Sequence, residues 1–211
     1  MARANPYRFD LALPDGYQYG TEQYPLLLFL HGRGERGDDL TLVRRHGPPK
    51  LIRGLFRPLY LDPFIILSPQ CPADAQWSAL ALAALLDELL PGLRVDRQRM
   101  YLTGISMGGY GAWSLALHRP ERFAAVAPIC GGGDPALAAR LEPVAVWIFH
   151  SAGDEVVPVV ESDRMFEALA RSNANVTYTR YRSLSHVQTW EEAYGEPLLY
   201  EWFLRQTRPR S

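Results

Sequence analysis

Short apolar runs alternate with amphipathic stretches along most of the chain. Leu26–Leu30, Phe64–Ser68, Met100–Gly104, Ala124–Ile129, Ala145–His150 and Val176–Tyr181 read as strands, most of them apolar almost without interruption. A strand covered on both faces needs that pattern, so a mostly parallel central sheet flanked by helices is predicted. Tyr7–Leu13 alternates instead and suits an antiparallel edge strand. Between the strands, Ser78–Leu90 is an Ala/Leu-rich helix with Ser78 placed to cap it and Pro91-Gly92 placed to end it. Met107–His118 follows a strand directly and stops before Pro120, and Val159–Ser172 begins after Pro158. The final helical stretch, Trp190–Gln206, is interrupted near Gly195–Pro197. Connections are short, so residues 1–211 read as a single α/β domain without a separate lid domain.

Composition narrows the partners more than the fold. A net charge of −1 removes any bulk electrostatic case for nucleic acid or an anionic membrane. No apolar run is long enough to span a bilayer. Met1–Phe9 lacks the apolar core of an export signal, which points to a cytoplasmic chain, with secretion the alternative if a leader has been removed. Cys71 and Cys130 are too few for a disulfide framework. Free, buried small residues are the expected reading for both.

The sharpest chemical signal is Gly104-Ile105-Ser106-Met107-Gly108-Gly109, where a strand hands over to a helix. A turn that tight tolerates only small residues two before and two after the serine, and it pushes the hydroxyl out at the end of the sheet. His31-Gly32-Arg33-Gly34-Glu35-Arg36-Gly37, after the strand Leu26–Leu30, supplies backbone N–H groups that could face a developing oxyanion. The expected donors are the N–H groups of Met107 and Arg33, with Gly34 as the alternative to Arg33.

A serine nucleophile needs a base, and the base an orienting acid, following in the order serine, acid, histidine. Asp154 sits in a polar turn after the strand Ala145–His150, with Glu155 as its neighbouring competitor. Of the five histidines only His186 follows Asp154. His31 reads as a structural residue at the base of the glycine-rich loop. Taken alone, Asp154 would be an ordinary turn or capping carboxylate and His186 a surface group; it is the filled order that gives them weight. Trp77 and Trp190, assigned to loops on the catalytic edge, are candidate substrate-binding residues. Tyr110 and Trp113, on the helix behind Ser106, are expected to pack in the core. No metal or cofactor motif is present, and Glu35, Asp38 and Asp39 read as a polar loop.

Pro25–Gly37, His46-Gly47-Pro48-Pro49-Lys50, Ser68-Pro69-Gln70-Cys71-Pro72, Tyr101–Gly111, Ala127–Gly133, Asp154–Pro158 and His186–Trp190 together resemble the phospholipase/carboxylesterase-like group of α/β-hydrolases. That group includes predicted peptidases and relatives of polyhydroxybutyrate depolymerases and feruloyl esterases. The resemblance covers nearly the whole chain. It implies Ser106, Asp154 and His186 as the triad and the loop at Arg33 as part of the oxyanion hole. The chain departs from the group's pattern at Arg33, where a small residue is usual, at Ser151, where glycine is usual, and at Val187-Gln188-Thr189. The expected activity is hydrolysis of small-molecule esters with short-chain or aromatic acids through an acyl-enzyme. A peptidase or amide hydrolase with the same triad is the alternative, and a non-catalytic binding module the more distant one.

Overall fold

A computed structural model describes residues 5–54, 57–173 and 175–208. The first four residues of the polar Met1–Phe9 segment lie outside that range. Among the described residues seven strands form one sheet: β1 (Arg8–Ala12), β2 (Tyr24–Leu30), β3 (Ile65–Gln70), β4 (Val95–Ile105), β5 (Ala125–Ile129), β6 (Ala145–Ser151) and β7 (Val176–Tyr181). Their order is β1-β3-β2-β4-β5-β6-β7. Only β1 is antiparallel, pairing with β3 at the edge as its alternation requires; every other pairing is parallel.

The continuous apolar runs have a direct cause. In β2, Leu26, Leu28 and Leu30 enter one core while Leu27 and Phe29 enter the other. Successive side chains point to opposite faces, so a strand buried on both sides has no polar position to alternate with. The helices α2 (Ala79–Leu89), α3 (Met107–His118) and α4 (Val160–Leu169) cover the first face. The second is covered by α1 (Gly47–Ile52), α5 (His186–Gly195) and α6 (Pro197–Leu204). This is the α/β-hydrolase architecture, and the N-terminal edge strand, the buried central strands and the cap of α2 by Ser78 match the sequence reading.

Two boundaries differ. β4 begins at Val95, which pairs with Tyr24 of β2 before the part-exposed residues 96–99 break the register and pairing resumes between Met100 and Leu26. The last helical region starts at His186 rather than Trp190, since Ser185 and Gln188 form a reciprocal capping box that nucleates α5 earlier. Cys71 and Cys130, after β3 and β5, are free and buried, with β2 and β4 between their strands. Among the described residues, no helix is long and apolar enough to cross a membrane.

Candidate active site

The sheet's C-terminal edge gathers the segments of interest: the turns after β2, β4, β6 and β7. Open parallel sheets present their helix N-termini and loops there. At the end of β4 the chain turns through Ser106 with φ 53° and ψ −117°, a backbone conformation that L-residues rarely adopt. Two glycines make the turn sterically feasible. A Cβ on Gly104 would lie 2.3 Å from the Gly108 carbonyl oxygen, and one on Gly108 would lie 2.0 Å from that of Leu30. The Ser106 N–H donates to Ile129 O at 2.9 Å, locking the elbow onto β5.

His186, the first residue of α5, reaches Ser106 from the other side. Its Nε2 lies 2.9 Å from Ser106 Oγ and its Nδ1 2.6 Å from Asp154 Oδ2. Asp154 Oδ1 accepts the N–H groups of Val156 and Val157, each at 2.9 Å. The Asp154 side chain has no exposed surface, whereas Glu155 is exposed. Burial works to raise the Asp154 carboxyl, but the N–H of Val157, the His186 ring and the N–H of Val156 outweigh it and hold it below its ordinary range. The carboxylate that faces His186 is therefore charged at neutral pH.

The loop after β2 is equally fixed. Gly32 is extended and Arg33 opens a short 3₁₀ turn, Arg33–Glu35. His31 is buried, its Nδ1 2.6 Å from Gly32 O and its Nε2 accepting the Cys71 N–H at 3.0 Å. Burial drives its pKa down to about 4, so it is a neutral structural brace. Glu35 is a correction to the polar-loop reading: it is buried, with its carboxylate 3.7 Å from His46 Nε2. Arg33 is exposed.

The two tryptophans part ways. Trp77 is buried, donates from Nε1 to His31 O at 3.1 Å, and lines a cavity of about 490 Å³ with Met107, Tyr110 and Gly132. Trp190 is on α5, not in a loop; its ring packs edge-on against His186 with centroids 4.8 Å apart, and His46 packs on its far side. It borders a separate cavity of about 130 Å³. Trp113 is a core residue as expected, but Tyr110 is 38% exposed and belongs to the larger cavity. One turn of helix separates it from Ser106, which puts it on the wall rather than behind the site.

His150, at the end of β6, was not singled out by the sequence. A histidine closing an apolar run gives no pattern of its own; only the loop folding back shows that its ring touches Asp154, with Nε2 3.2 Å from Oδ2. Cys130, His150 and Asp154 each offer a donor atom within 4.8 Å of one another. Burial and the adjacent Asp154 push the Cys130 thiol far up, so it stays protonated, and the imidazole and carboxylate are committed to hydrogen bonds. A closed hydrogen-bonded cluster accounts for all three.

Residues 67–194 match the model of the Putative esterase family. The chain belongs to that family. All three residues of the Ser106–His186–Asp154 array fall inside the matched segment. A protein of Aspergillus terreus named "Probable feruloyl esterase C" is 24% identical over 173 residues, covering 80% of this chain and 63% of the relative. Its counterpart in Aspergillus niger is 25% identical, covering 73% and 57%. This esterase-family chain thus spans less than two thirds of the length of those curated relatives. Among solved structures, a thermostable esterase superposes with TM-score 0.86 and 33% identity over 95% of this chain and 59% of that one. A ferulic acid esterase, at 17% identity and TM-score 0.71 over 92% of both chains, shares the fold.

Proposed function

We propose that this chain is a serine carboxylesterase that cleaves small-molecule esters through an acyl-enzyme. The observation that carries the reading is the doubly hydrogen-bonded His186 ring, 2.9 Å from Ser106 Oγ and 2.6 Å from Asp154 Oδ2. The Ser106 hydroxyl donates to Nε2, and Nδ1–H donates to the carboxylate, which fixes the tautomer needed for a base. Ser106 Oγ attacks the ester carbonyl as its proton passes to Nε2. The carbonyl oxygen becomes an oxyanion, for which Met107 N–H, the first of α3 and without an intrahelical acceptor, is a natural donor. Arg33 N–H, opening the 3₁₀ turn opposite, is the second. His186 then gives its proton to the departing alkoxide, and water, deprotonated by the same nitrogen, releases the acid.

The cavity walled by Trp77, Met107 and Tyr110 suits a short acyl chain or an aromatic acid. The Aspergillus relatives carry the name feruloyl esterase, which favours the aromatic acid. The test is turnover of p-nitrophenyl esters of rising chain length, methyl ferulate and an aminoacyl anilide, with fluorophosphonate labelling. Ser106 is expected to be labelled, Ser106→Ala to lose roughly 10⁴-fold or more in kcat, and esters to outrun the anilide. Folded protein that resists labelling, or a fully active Ser106→Ala, would overturn the reading.

A further inference from the structure

We infer that His150 is a second histidine beside the proposed catalytic carboxylate, a positioning residue whose Nε2–H, bonded to Val157 O, lies 3.2 Å from Asp154 Oδ2 and thereby sets how strongly Asp154 supports the charge on His186. The inference rests on the triad proposed above.

The geometry leaves the His150 ring little choice. It is fully buried, and its Nε2 faces two groups that can only accept: Val157 O at 3.1 Å and Asp154 Oδ2 at 3.2 Å. Nε2 must carry a proton in either protonation state of the ring. Nδ1 lies 2.8 Å from Ser162 Oγ, and Ser162 Oγ lies 2.9 Å from Gly131 O. In the neutral ring Nδ1 accepts the Ser162 hydroxyl, which it shares with Gly131 O. Burial lowers the His150 pKa, so neutral is the form present at neutral pH. The ring is then a fixed dipole with its positive end on the carboxylate.

The oxygen it meets matters. Oδ1 of Asp154 is taken up by the two backbone N–H groups of its own loop. Oδ2 is the atom that His186 uses, and His150 Nε2 lies 3.2 Å from that same atom. The positive end of a ring dipole so close to the oxygen offsets the cost of burying the anion, and it also draws negative potential away from the His186 ring. Removing it leaves a carboxylate that stabilises the protonated base more strongly. The base must be neutral to act, so the acid limb of the kcat/KM profile moves to higher pH.

Other titrating groups around the ring do not substitute for it. His186 lies across Asp154, and the Cys130 thiol is held protonated. On the β7 side Arg180, Tyr178 and Asp163 satisfy one another. Glu161 and Tyr110 meet across Gly132 towards the cavity.

The experiment measures kcat/KM against pH on p-nitrophenyl acetate for wild type, His150→Phe and His150→Gln, each checked for fluorophosphonate labelling. His150→Phe is expected to label at Ser106 and to shift its acid limb upward by about half a pH unit or more. His150→Gln, whose amide can present an N–H near the Nε2 position, is expected to recover the wild-type limb. An unmoved limb in both variants would reduce His150 to a loop clamp and overturn the inference. Should His150→Phe fail to fold, ¹⁵N shifts of wild-type histidines decide the matter: a neutral Nε2–H tautomer is expected, and an Nδ1–H tautomer would overturn the inference. Failure of labelling in wild type would instead strike the proposed function, and the two failures are separately visible.

Discussion

The turn after β4 and the turn after β6 deliver two members of the same hydrogen-bonded array by opposite means. At the first, repulsion decides. Ser106 is held at φ 53° because Gly104 and Gly108 leave no space for a Cβ, with backbone oxygens 2.3 and 2.0 Å from where one would stand. At the second, attraction decides. Asp154 is fixed by the N–H groups of Val156 and Val157 and by the ring of His186, drawn from the loop itself and α5, with His150 Nε2 at the end of β6 3.2 Å away. Excluded volume rises steeply over fractions of an ångström, while hydrogen bonds each contribute about 1 kcal/mol and can be lost one at a time. The elbow should therefore fail as a unit and the acid side in steps.

The largest effect expected is at Gly108. Its alanine would force β2 and α3 apart at the Leu30 carbonyl, so Gly108→Ala is expected to cost more than about 4 kcal/mol or to prevent folding. Gly34, in the loop after β2, is the matched control: a Cβ there meets nothing within 4 Å, and Gly34→Ala should unfold within about 1 kcal/mol of wild type. Urea unfolding of the pair checks this, and equal stabilities would dissolve the contrast. Next comes Asp154→Asn. It keeps the shape of the loop but replaces the acceptor facing His186 Nδ1, so the protein should fold while kcat falls by roughly 10³- to 10⁴-fold. Loss of the fold alongside activity would mean that the acid loop, too, is all-or-none.

The same contrast explains what could be read from the residues alone. Gly104-Ile105-Ser106-Met107-Gly108 is legible because its constraint is steric and spans a few positions; any sequence that makes that turn must carry small residues there. The buried strands were legible because a two-sided environment forbids polar positions, as in Leu26–Leu30. His150 was not, since its significance depends on a loop returning Asp154 to it and on Ser162 of α4 orienting it. Glu35 and His46 are alike in this, two polar residues in a loop whose mutual approach is set by tertiary packing. For Trp190 a local signal exists: the capping box of Ser185 and Gln188 marks the start of α5 at His186 and places Trp190 on the helix.

A smaller effect is expected from His31, which braces the loop after β2 by hydrogen bonds and by packing its ring against Trp77, centroids 4.8 Å apart. Burial lowers its pKa to about 4 from an ordinary 6.5. Between those values the unfolded chain binds a proton that the folded protein refuses, so stability falls as pH drops from 6.5 towards 4, by about 3 kcal/mol at most. His150, also lowered by burial, acts in the same sense. Asp154, held below its ordinary value, loses its contribution only at lower pH, as the folded carboxyl itself protonates. Urea unfolding at pH 7 and pH 4.5 is expected to show this loss in wild type and a clearly smaller loss in His31→Gln. Identical pH dependence in both would remove His31 from the account.

The smallest effect sharpens the comparison most, because it touches the proposed base without touching its chemistry. Ser185 caps α5 by accepting the Gln188 N–H, while the Gln188 side chain accepts the Ser185 N–H at 2.9 Å. The first residue of that helix is His186. Ser185→Ala deletes one hydrogen bond of the box, at a cost of about 1 kcal/mol and a fall of roughly 2–4 °C in Tm. Further along, Thr189 Oγ1 still donates to Ser185 O at 2.9 Å, and Trp190 and Tyr194 remain buried beneath the helix. The His186 ring should thus stay within hydrogen-bond reach of Ser106, and kcat/KM should change by less than about threefold. Thermal unfolding and ester turnover on the same preparation separate the two quantities. A collapse of turnover with Tm almost unchanged would show that the position of His186 depends on a single cap, and the hydrogen-bonded side of the site would then be as brittle as the elbow.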